Sequence, residues 1–513
     1  MGAASKKVAP AFWLALPVWV FLALALIYPL ARIVALGVGK GFGEALANPY
    51  YWGRLLWSLE YGLGSSFLVV VLALPLSYVF RFQFPGREVL LSFALAPFVM
   101  PAIVVAMGFM ALVGPRGITG INLYGTPWVL FWASVFYNLG MTLRILVPAL
   151  AGLETSLSAA RTLGAGATRA YLRVGLPLLA PALLAGASLT FLYSFASFGV
   201  PLLLGGPGYS TLEVEIYTLL AQRLQFAQAS ALVIIQLIVT GLVVLVYLRT
   251  QAVLTHGLGA DRPPRPLAKP VAWGLAGFVS TLFALLFSPL LALLWRSLEH
   301  PGAFASVFGS QDFTPAAAAL ANSLRFALLA LLLDLPLGFF YAYAVWRGGR
   351  VLDLVGLLPL LISPVAVGLG YLVAYPGLRG SLWILIGAYA LQSYPLLGRA
   401  LLPGLRALPK GVLEAARVLG ASPWRRLVRV EWPLVKTSIL AGVALALAAV
   451  IGEFGATLVL QRPEWTTLSL AIYERLGRPG LGPFSEALAL SAMLALVTVL
   501  LYTALDRTHQ RPG

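Results

Sequence analysis

The sequence predicts an all-α polytopic membrane protein with about twelve transmembrane helices in two homologous six-helix halves. Three observations predict it: an apolar composition, a series of apolar runs of spanning length, and an internal repeat. Of 513 residues, 60% are hydrophobic and 10% charged, with a mean hydropathy of +0.90. An ordinary soluble domain carries roughly 25% charged residues, so most of this chain must face lipid or other helices.

A helix that crosses the hydrocarbon core needs about 20 mostly apolar residues. The first such run, Phe12 to Ala31, follows Lys6 and Lys7. Its length, with no small-residue cleavage site after it, reads as a retained first helix rather than a removed leader. Further runs centre near Val70, Val99, Val135, Leu189 and Leu237, and then near Leu282, Leu332, Leu361, Ile386, Leu447 and Leu496. Between the two sets, Thr250 to Pro270 carries Pro263, Pro264, Pro266 and Pro270 with Arg262, Arg265 and Lys269. That stretch reads as a cytoplasmic linker. The expected organisation is a first half over 1–249, a linker over 250–270 and a second half over 271–513.

The net charge of +17 would suggest nucleic acid in a soluble protein. Here the basic residues punctuate the gaps between apolar runs, which is a topological pattern, and nucleic-acid binding is not expected. With the N-terminus inside, about 24 of the 35 basic residues fall in cytoplasmic segments and about 11 outside, so both termini are expected in the cytoplasm. Cysteine is absent, which excludes disulfides, thiolate metal sites and thiol catalysis. His256, His300 and His509 are scattered, and no metal-ligand cluster or catalytic arrangement emerges. The chain does not read as an enzyme.

The repeat is the most informative feature. A shift of 256 residues aligns Ser158–Tyr217 with Glu414–Tyr473 without a gap, and about 24 of those 60 positions are identical. The matches include Gly164 with Gly420, Pro177 with Pro433, Phe198 with Phe454, Gly199 with Gly455 and Tyr217 with Tyr473. Shared hydrophobicity would match Leu and Ala, not glycines and prolines in register. Two parallel copies suggest a pseudo-two-fold axis along the membrane normal, with a pathway between the halves.

Inside the repeat lies a long cytoplasmic loop in each half, over about 151–177 and about 403–433. The second reads Glu414-Ala415-Ala416-Arg417-Val418-Leu419-Gly420 and then Val430-Glu431-Trp432-Pro433. Small residues followed by an apolar pair suit a short helix that packs closely on something. Gly420 suits a C-terminal cap with positive φ, and Ser422-Pro423 suits the start of a second helix that enters the membrane at Pro433. The first loop repeats the plan with Ala159, Ala160, Gly164 and Pro177, but has Ser158 where the second has Glu414.

This spacing resembles the EAA signature of binding-protein-dependent ABC importer permeases, with Trp432 in place of the usual Leu. The resemblance extends over nearly the whole chain. It is closest to the fused double-length permeases for ferric iron and thiamine, through Phe195-Ala196-Ser197-Phe198-Gly199 and Ile451-Gly452-Glu453-Phe454-Gly455. It implies a permease of the bacterial inner membrane whose two loops dock on cytoplasmic ATPase subunits, expected to be two. It also implies an extracytoplasmic binding protein that delivers the cargo. The chain has no G-x-x-x-x-G-K-[ST] loop. No cofactor is therefore expected here, ATP and Mg belonging to the partner.

Ionisable groups in a bilayer are costly and usually face a cavity or a partner. Asp334 and Glu453 stand out. The resemblance places Glu453 in the pathway-lining fifth helix of its half, where the first half has Ser197. Either it favours a cationic cargo or it is a structural acid, with Arg144 or Arg399 as a partner. Asp334 is the second pathway candidate, or else serves the backbone freed by Pro336. Phe198, Phe454 and Tyr193 suggest an aromatic gate, or simple packing, and Gly199 and Gly455 suggest close approach or a bend. Ferric iron is the first expectation for the cargo and thiamine the second. The alternative of another class is an ion-coupled secondary transporter.

Overall fold

Long apolar runs without alternation leave lipid-exposed backbone one way to satisfy its polar groups, which is the helix. The computed structural model describes residues 13–257, 264–310 and 312–506. Lys6, Lys7, Arg262, Pro263 and His509, singled out above, lie outside the described residues. Among the described residues the chain is helical, apart from one bridge that pairs Phe82 with Arg265.

The first half contains α1 (Trp13–Gly39), α2 (Pro49–Val79), a bent pair α3 (Arg87–Val99) and α4 (Ala102–Val113), and α5 (Pro127–Thr162). It continues with α6 (Leu176–Phe195), the short α7 (Gly199–Leu204) and α8 (Leu212–Tyr217), and α9 (Phe226–Gly257). The second half contains α10 (Lys269–Leu286), α11 (Ser288–Glu299), α12 (Ala316–Trp346), a bent pair α13 (Val351–Leu360) and α14 (Pro364–Ala374), and α15 (Leu382–Arg406). Then follow α16 (Lys410–Val418), α17 (Trp432–Ile451), the short α18 (Gly455–Leu460) and α19 (Leu468–Leu476), and α20 (Leu481–Asp506). The repeat is visible in the backbone: α6 and α17, and α7 and α18, are offset by the same 256 residues as the sequence match.

Among the described residues, nine helices are long and apolar enough to cross a bilayer, and the two bent pairs bring the number to eleven. The twelfth predicted run is α15, a 25-residue helix that falls short of that apolarity. It packs between α12 and α17 and is buried along much of its length, so protein rather than lipid is its solvent. The runs near Val99 and Leu361 do not form straight spans as read from the sequence. They bend by 104° and 95° just ahead of Ala102 and Pro364. A proline disfavours helical geometry in the residue before it, and Met100 and Ser363, which precede Pro101 and Pro364, are both extended. The stretch over 250–270 also differs from a simple loop: α9 runs to Gly257 and α10 begins at Lys269.

The halves are interlocked by exchange. α1 leaves its own half to lie on α14 of the second, and α11 of the second half lies on α4 of the first. Both contacts use a glycine notch facing a proline. A Cβ on Gly370 would come within 3.1 Å of Pro29 Cβ, and one on Gly108 within 2.7 Å of the Pro289 carbonyl oxygen. Gly108→Leu or Gly370→Leu should therefore cost about 1–3 kcal/mol by overpacking, read as a lower melting temperature in detergent. Gly274→Leu on α10, where a Cβ meets nothing within 4 Å, should leave it unchanged.

Candidate functional site: paired elbows and an inter-half cavity

Two features repeat in both halves, an exposed elbow between the fourth and fifth helices and a wall of the cavity where the halves meet.

In the first elbow, α5 continues for 36 residues and stops at Thr162. Gly164, at φ 87°, turns the chain back. Its N–H donates to the Arg161 carbonyl at 2.9 Å and the Ala165 N–H donates to the Ala160 carbonyl at 3.0 Å. That pair of bonds is the Schellman closure, in which a left-handed residue satisfies the last free carbonyls. The second elbow repeats it: Gly420 sits at φ 75°, with Gly420 N–H to Arg417 and Ala421 N–H to Ala416, both 3.0 Å. Ser422 Oγ then accepts from Arg425 N–H at 3.3 Å, as an N-cap should.

Ala159, Ala415, Glu414, Pro177 and Pro433 are exposed, and Ala160 and Ala416 half-buried. The apolar tips stand clear of the protein, with Leu163 at 88% exposure and Leu419 at 86%. Such large apolar side chains at a tip are a surface waiting for a partner. Pro177 and Pro433 each sit at the second position after a π-turn, Tyr171–Gly175 and Leu427–Glu431, within a span that runs on without a break. Proline removes an N–H and crowds the carbonyl four residues back, and a widened turn accommodates both.

The elbows also differ. The first is continuous with α5, whereas Ala407-Leu408-Pro409 separates α15 from α16 in the second. In both halves the segment that follows the second helix, a loop in the first and the start of α13 in the second, is ion-paired to the fourth helix, with opposite polarity. Arg81 pairs with Glu154 on α5, and Asp353 with Arg399 on α15 at 3.0 Å.

The cavity lies at the seam between the halves as two adjoining lobes of about 370 and 300 Å³. Ser197, Phe198, Gly199, Glu453, Phe454 and Gly455 all line the larger lobe. The fold thus brings the two copies of this segment together on one cavity. Phe198 and Phe454 stack across the pseudo-two-fold axis with centroids 5.8 Å apart. Each is held edge-on by a tyrosine of its own half, Tyr217 at 5.3 Å and Tyr473 at 5.4 Å. The glycines explain themselves here: a Cβ on Gly199 would come within 3.4 Å of the Phe454 ring, and one on Gly455 within 3.3 Å of Phe198. Tyr193 is not part of this stack; it packs edge-on against Phe98, centroids 5.5 Å apart, and lines both lobes.

Glu453 is tied to backbone. Its carboxylate accepts from Ala456 N–H and Thr457 N–H, each at 2.9 Å, and from Thr457 Oγ1 at 2.6 Å. It caps α18, the helix that starts beside Phe454. The sequence-level partners Arg144 and Arg399 do not reach it; Arg144 is exposed and Arg399 holds Asp353. Asp334 lines neither lobe. It is 1% exposed and accepts from Ser393 Oγ at 2.6 Å across to α15, so it bonds a neighbouring helix and not the backbone near Pro336.

Sequence reasoning missed the second-, third- and fourth-helix contributions. Tyr61, Phe98, Ser134, Tyr137, Asn138 and Gln392 line the lobes. Ser134 and Asn138, spaced one turn apart in the apolar stretch 128–141 of α5, were a legible signal: Asn138 Nδ2 donates to the Ser134 carbonyl at 2.9 Å and Ser134 pairs with Ser194 at 2.7 Å. No Lys or Arg lines either lobe, and Glu453 is the sole acid among the lining residues.

Because the chain lacks cysteine, a single introduced thiol reports on this region cleanly. Glu453→Gln places an amide donor against N–H donors and should loosen α18 by about 1 kcal/mol. Labelling of Phe454→Cys by a water-soluble maleimide should accelerate in that background and stay slow in Asp334→Asn.

Comparison with known proteins adds the following. A family profile described as "Binding-protein-dependent transport system inner membrane component" matches residues 69–259 and again 334–510. The sequence is 26% identical to the thiamine transport system permease protein of Brucella melitensis over 480 residues, 86% of each chain. It is 25% identical to the thiamine transport system permease protein of Brucella suis over the same length. A Salmonella typhimurium protein named as a 2-aminoethylphosphonate transport system permease is 33% identical over 261 residues, 48% of this chain and 97% of that one.

Proposed function

The chain belongs to the family of binding-protein-dependent transport system inner membrane components, and from that premise we propose that it forms the whole membrane pathway of an ATP-driven importer for a small organic cation of the thiamine class. It is a transport subunit and not an enzyme, and its family works with an ATPase and a binding protein. The ion-coupled alternative finds no support in that family.

The observation that carries the reading is the cavity at the seam of two homologous halves, walled by aromatic rings and amides and free of basic side chains. Aromatic faces attract organic cations. A phosphonate, by contrast, calls for Arg or Lys at close range, and the relative named for one aligns with 48% of this chain. The relatives named for thiamine align along 86% of it. Ferric iron, the first expectation, has less support: the sole lining acid has its carboxylate engaged in capping α18. We assign Glu453 to holding the Phe198–Phe454 gate, with Ser197, Gly199 and Gly455 giving that gate its room. Asp334 is a structural acid beside the pathway.

Coupling runs through the elbows. Ala159, Ala160 and Gly164 with Pro177, and Glu414, Ala415, Ala416 and Gly420 with Pro433, form two docking sites, one for each of two ATPase subunits. The elbows face the cytoplasm, in keeping with Arg161, Arg169, Arg173, Arg425 and Arg429 around them. The same orientation puts both termini inside, with the linker between α9 and α10 on the cytoplasmic side.

Vesicles carrying this chain with its ATPase and binding protein should accumulate labelled thiamine, and neither ferric citrate nor 2-aminoethylphosphonate should compete. Uptake of labelled ferric citrate or 2-aminoethylphosphonate, with no thiamine uptake, would sink the cargo assignment. Gly420→Asp or Glu414→Arg should abolish ATP-dependent uptake while membrane insertion stays intact; survival of uptake in the double variant overturns the docking sites. Glu453→Gln should lower uptake more than Asp334→Asn does.

A further inference from the structure

The segment that joins the halves is anchored to one of them. Arg265 N–H donates to the Arg81 carbonyl at 2.8 Å, and Gln83 N–H donates to the Arg265 carbonyl at 2.7 Å, closing the Phe82–Arg265 bridge. The Arg265 side chain then reaches Glu154 of α5, with Nε at 3.0 Å and Nη2 at 2.7 Å from the same carboxylate oxygen. The other oxygen accepts from Arg81. Three segments thus converge on one carboxylate: the loop after α2, the base of the first elbow, and the linker.

The placement is mechanical. Glu154 sits one helical turn before Ser158 and ten residues before Gly164, on the same unbroken helix as the elbow. The Glu154 side chain is 17% exposed and that of Arg81 11%, so screening is reduced between those two, while Arg265, 54% exposed, holds the carboxylate from the solvent side. The second half has no counterpart. The position 256 residues on is Lys410, which follows the break at Ala407-Leu408-Pro409, so the second half carries no acid there. The linker also continues into α10, whose Phe283 packs edge-on against Phe80 with centroids 6.4 Å apart. The tether therefore joins the root of the first elbow to the first helix of the opposite half.

We propose that the linker is a strap that positions the first elbow: Arg265, acting through Glu154 and Arg81, fixes the angle at which α5 presents Leu163 and Gly164 to the ATPase. Arg265 is a positioning residue in this account, and the account rests on the elbows being docking sites. Two N–H groups of one guanidinium on a carboxylate oxygen make a charge-assisted contact, stronger than a neutral hydrogen bond. The first elbow needs the strap because it lacks the motif carboxylate that Glu414 supplies to the second, while Glu154, the nearest acid on its helix, is already occupied. The second elbow, set apart from α15, packs instead through Leu413 on the cluster of Tyr343, Leu401 and Leu405. The two elbows are thus held by different contacts.

The test uses the intact complex and the absence of native cysteine. Leu163→Cys and Leu419→Cys are introduced singly, and each is cross-linked to the ATPase subunit with a short thiol reagent. Arg265→Glu should lower the yield at 163 about fivefold, leave the yield at 419 unchanged and leave the melting temperature unchanged. Arg265→Lys should restore most of the loss. Glu154→Gln should reproduce it, and Glu154→Gln with Arg265→Glu should lose no more than either alone, the non-additivity expected of one shared contact. Equal yields at 163 with and without Arg265→Glu overturn the strap while leaving the docking sites intact. Additive losses at both positions overturn it too, since they signal general loosening. Absence of cross-linking at both 163 and 419 in the otherwise unaltered chain overturns the docking sites and the strap with them.

Discussion

A helix can break inside a bilayer only where the backbone groups it frees find new partners, because hydrocarbon offers none. Much of this architecture follows from that constraint. The bend ahead of α14 is closed by Ser363, whose Oγ accepts from Ala366 N–H at 3.0 Å. The break before α18 is closed by Glu453. The short α8 and α19 start at Thr211 and Thr467, each accepting at 3.5 Å from the third residue on, and their first N–H groups donate to Ser58 and Ser323 of α2 and α12. Polar side chains that look out of place in an apolar sequence are thus where the chain turns within the membrane. Those turns line the seam, so the breaks and the cavity have one origin.

On this duplicated frame the differences are concentrated at a few positions. Phe198 and Phe454, with their tyrosines and glycines, preserve near-perfect pseudo-symmetry. Next to them Ser197 faces Glu453, and α7 is held instead through Thr211 Oγ1 donating to the Ser197 carbonyl at 3.3 Å. Glu213 of the first half accepts from Ser363 of the second and from Gln236 at 2.6 Å, whereas its counterpart Ser469 makes no side-chain bond among the described residues. Fusion of the halves permits such one-sided contacts, since a symmetric pair of identical chains would have to make each of them twice.

Much of this was legible in the residues. Gly164 and Gly420 declared the elbows because only glycine takes a left-handed turn without strain, and the Phe-Gly pairs declared the seam through their repetition. Other features were hidden. Hydropathy averages over a window, so it could not distinguish a straight span from two limbs meeting at 104°, although Pro101 and Pro364 marked the places. Glu453 read either as a cargo contact or as a structural acid, because an acid in an apolar run fits both; that it sits in a break, its oxygens meeting N–H groups three and four residues on, is a matter of local geometry. The pairing of Arg265 with Glu154, 111 residues apart, left no local pattern at all.

The exchange of α1 and α11 between the halves has a bearing on how the protein comes into being. When the ribosome has delivered residues as far as Gly257, the end of α9, the glycine notch at Gly108 still has no Pro289 to fill it, and Pro29 has no Gly370 to lodge against. The early bundle therefore waits in the bilayer with two complementary surfaces bare. Completion is a late event, reached only after the final third of the chain begins to emerge, and the joining of two ancestral copies into one polypeptide guarantees that the awaited surface arrives in the same place and in equal number.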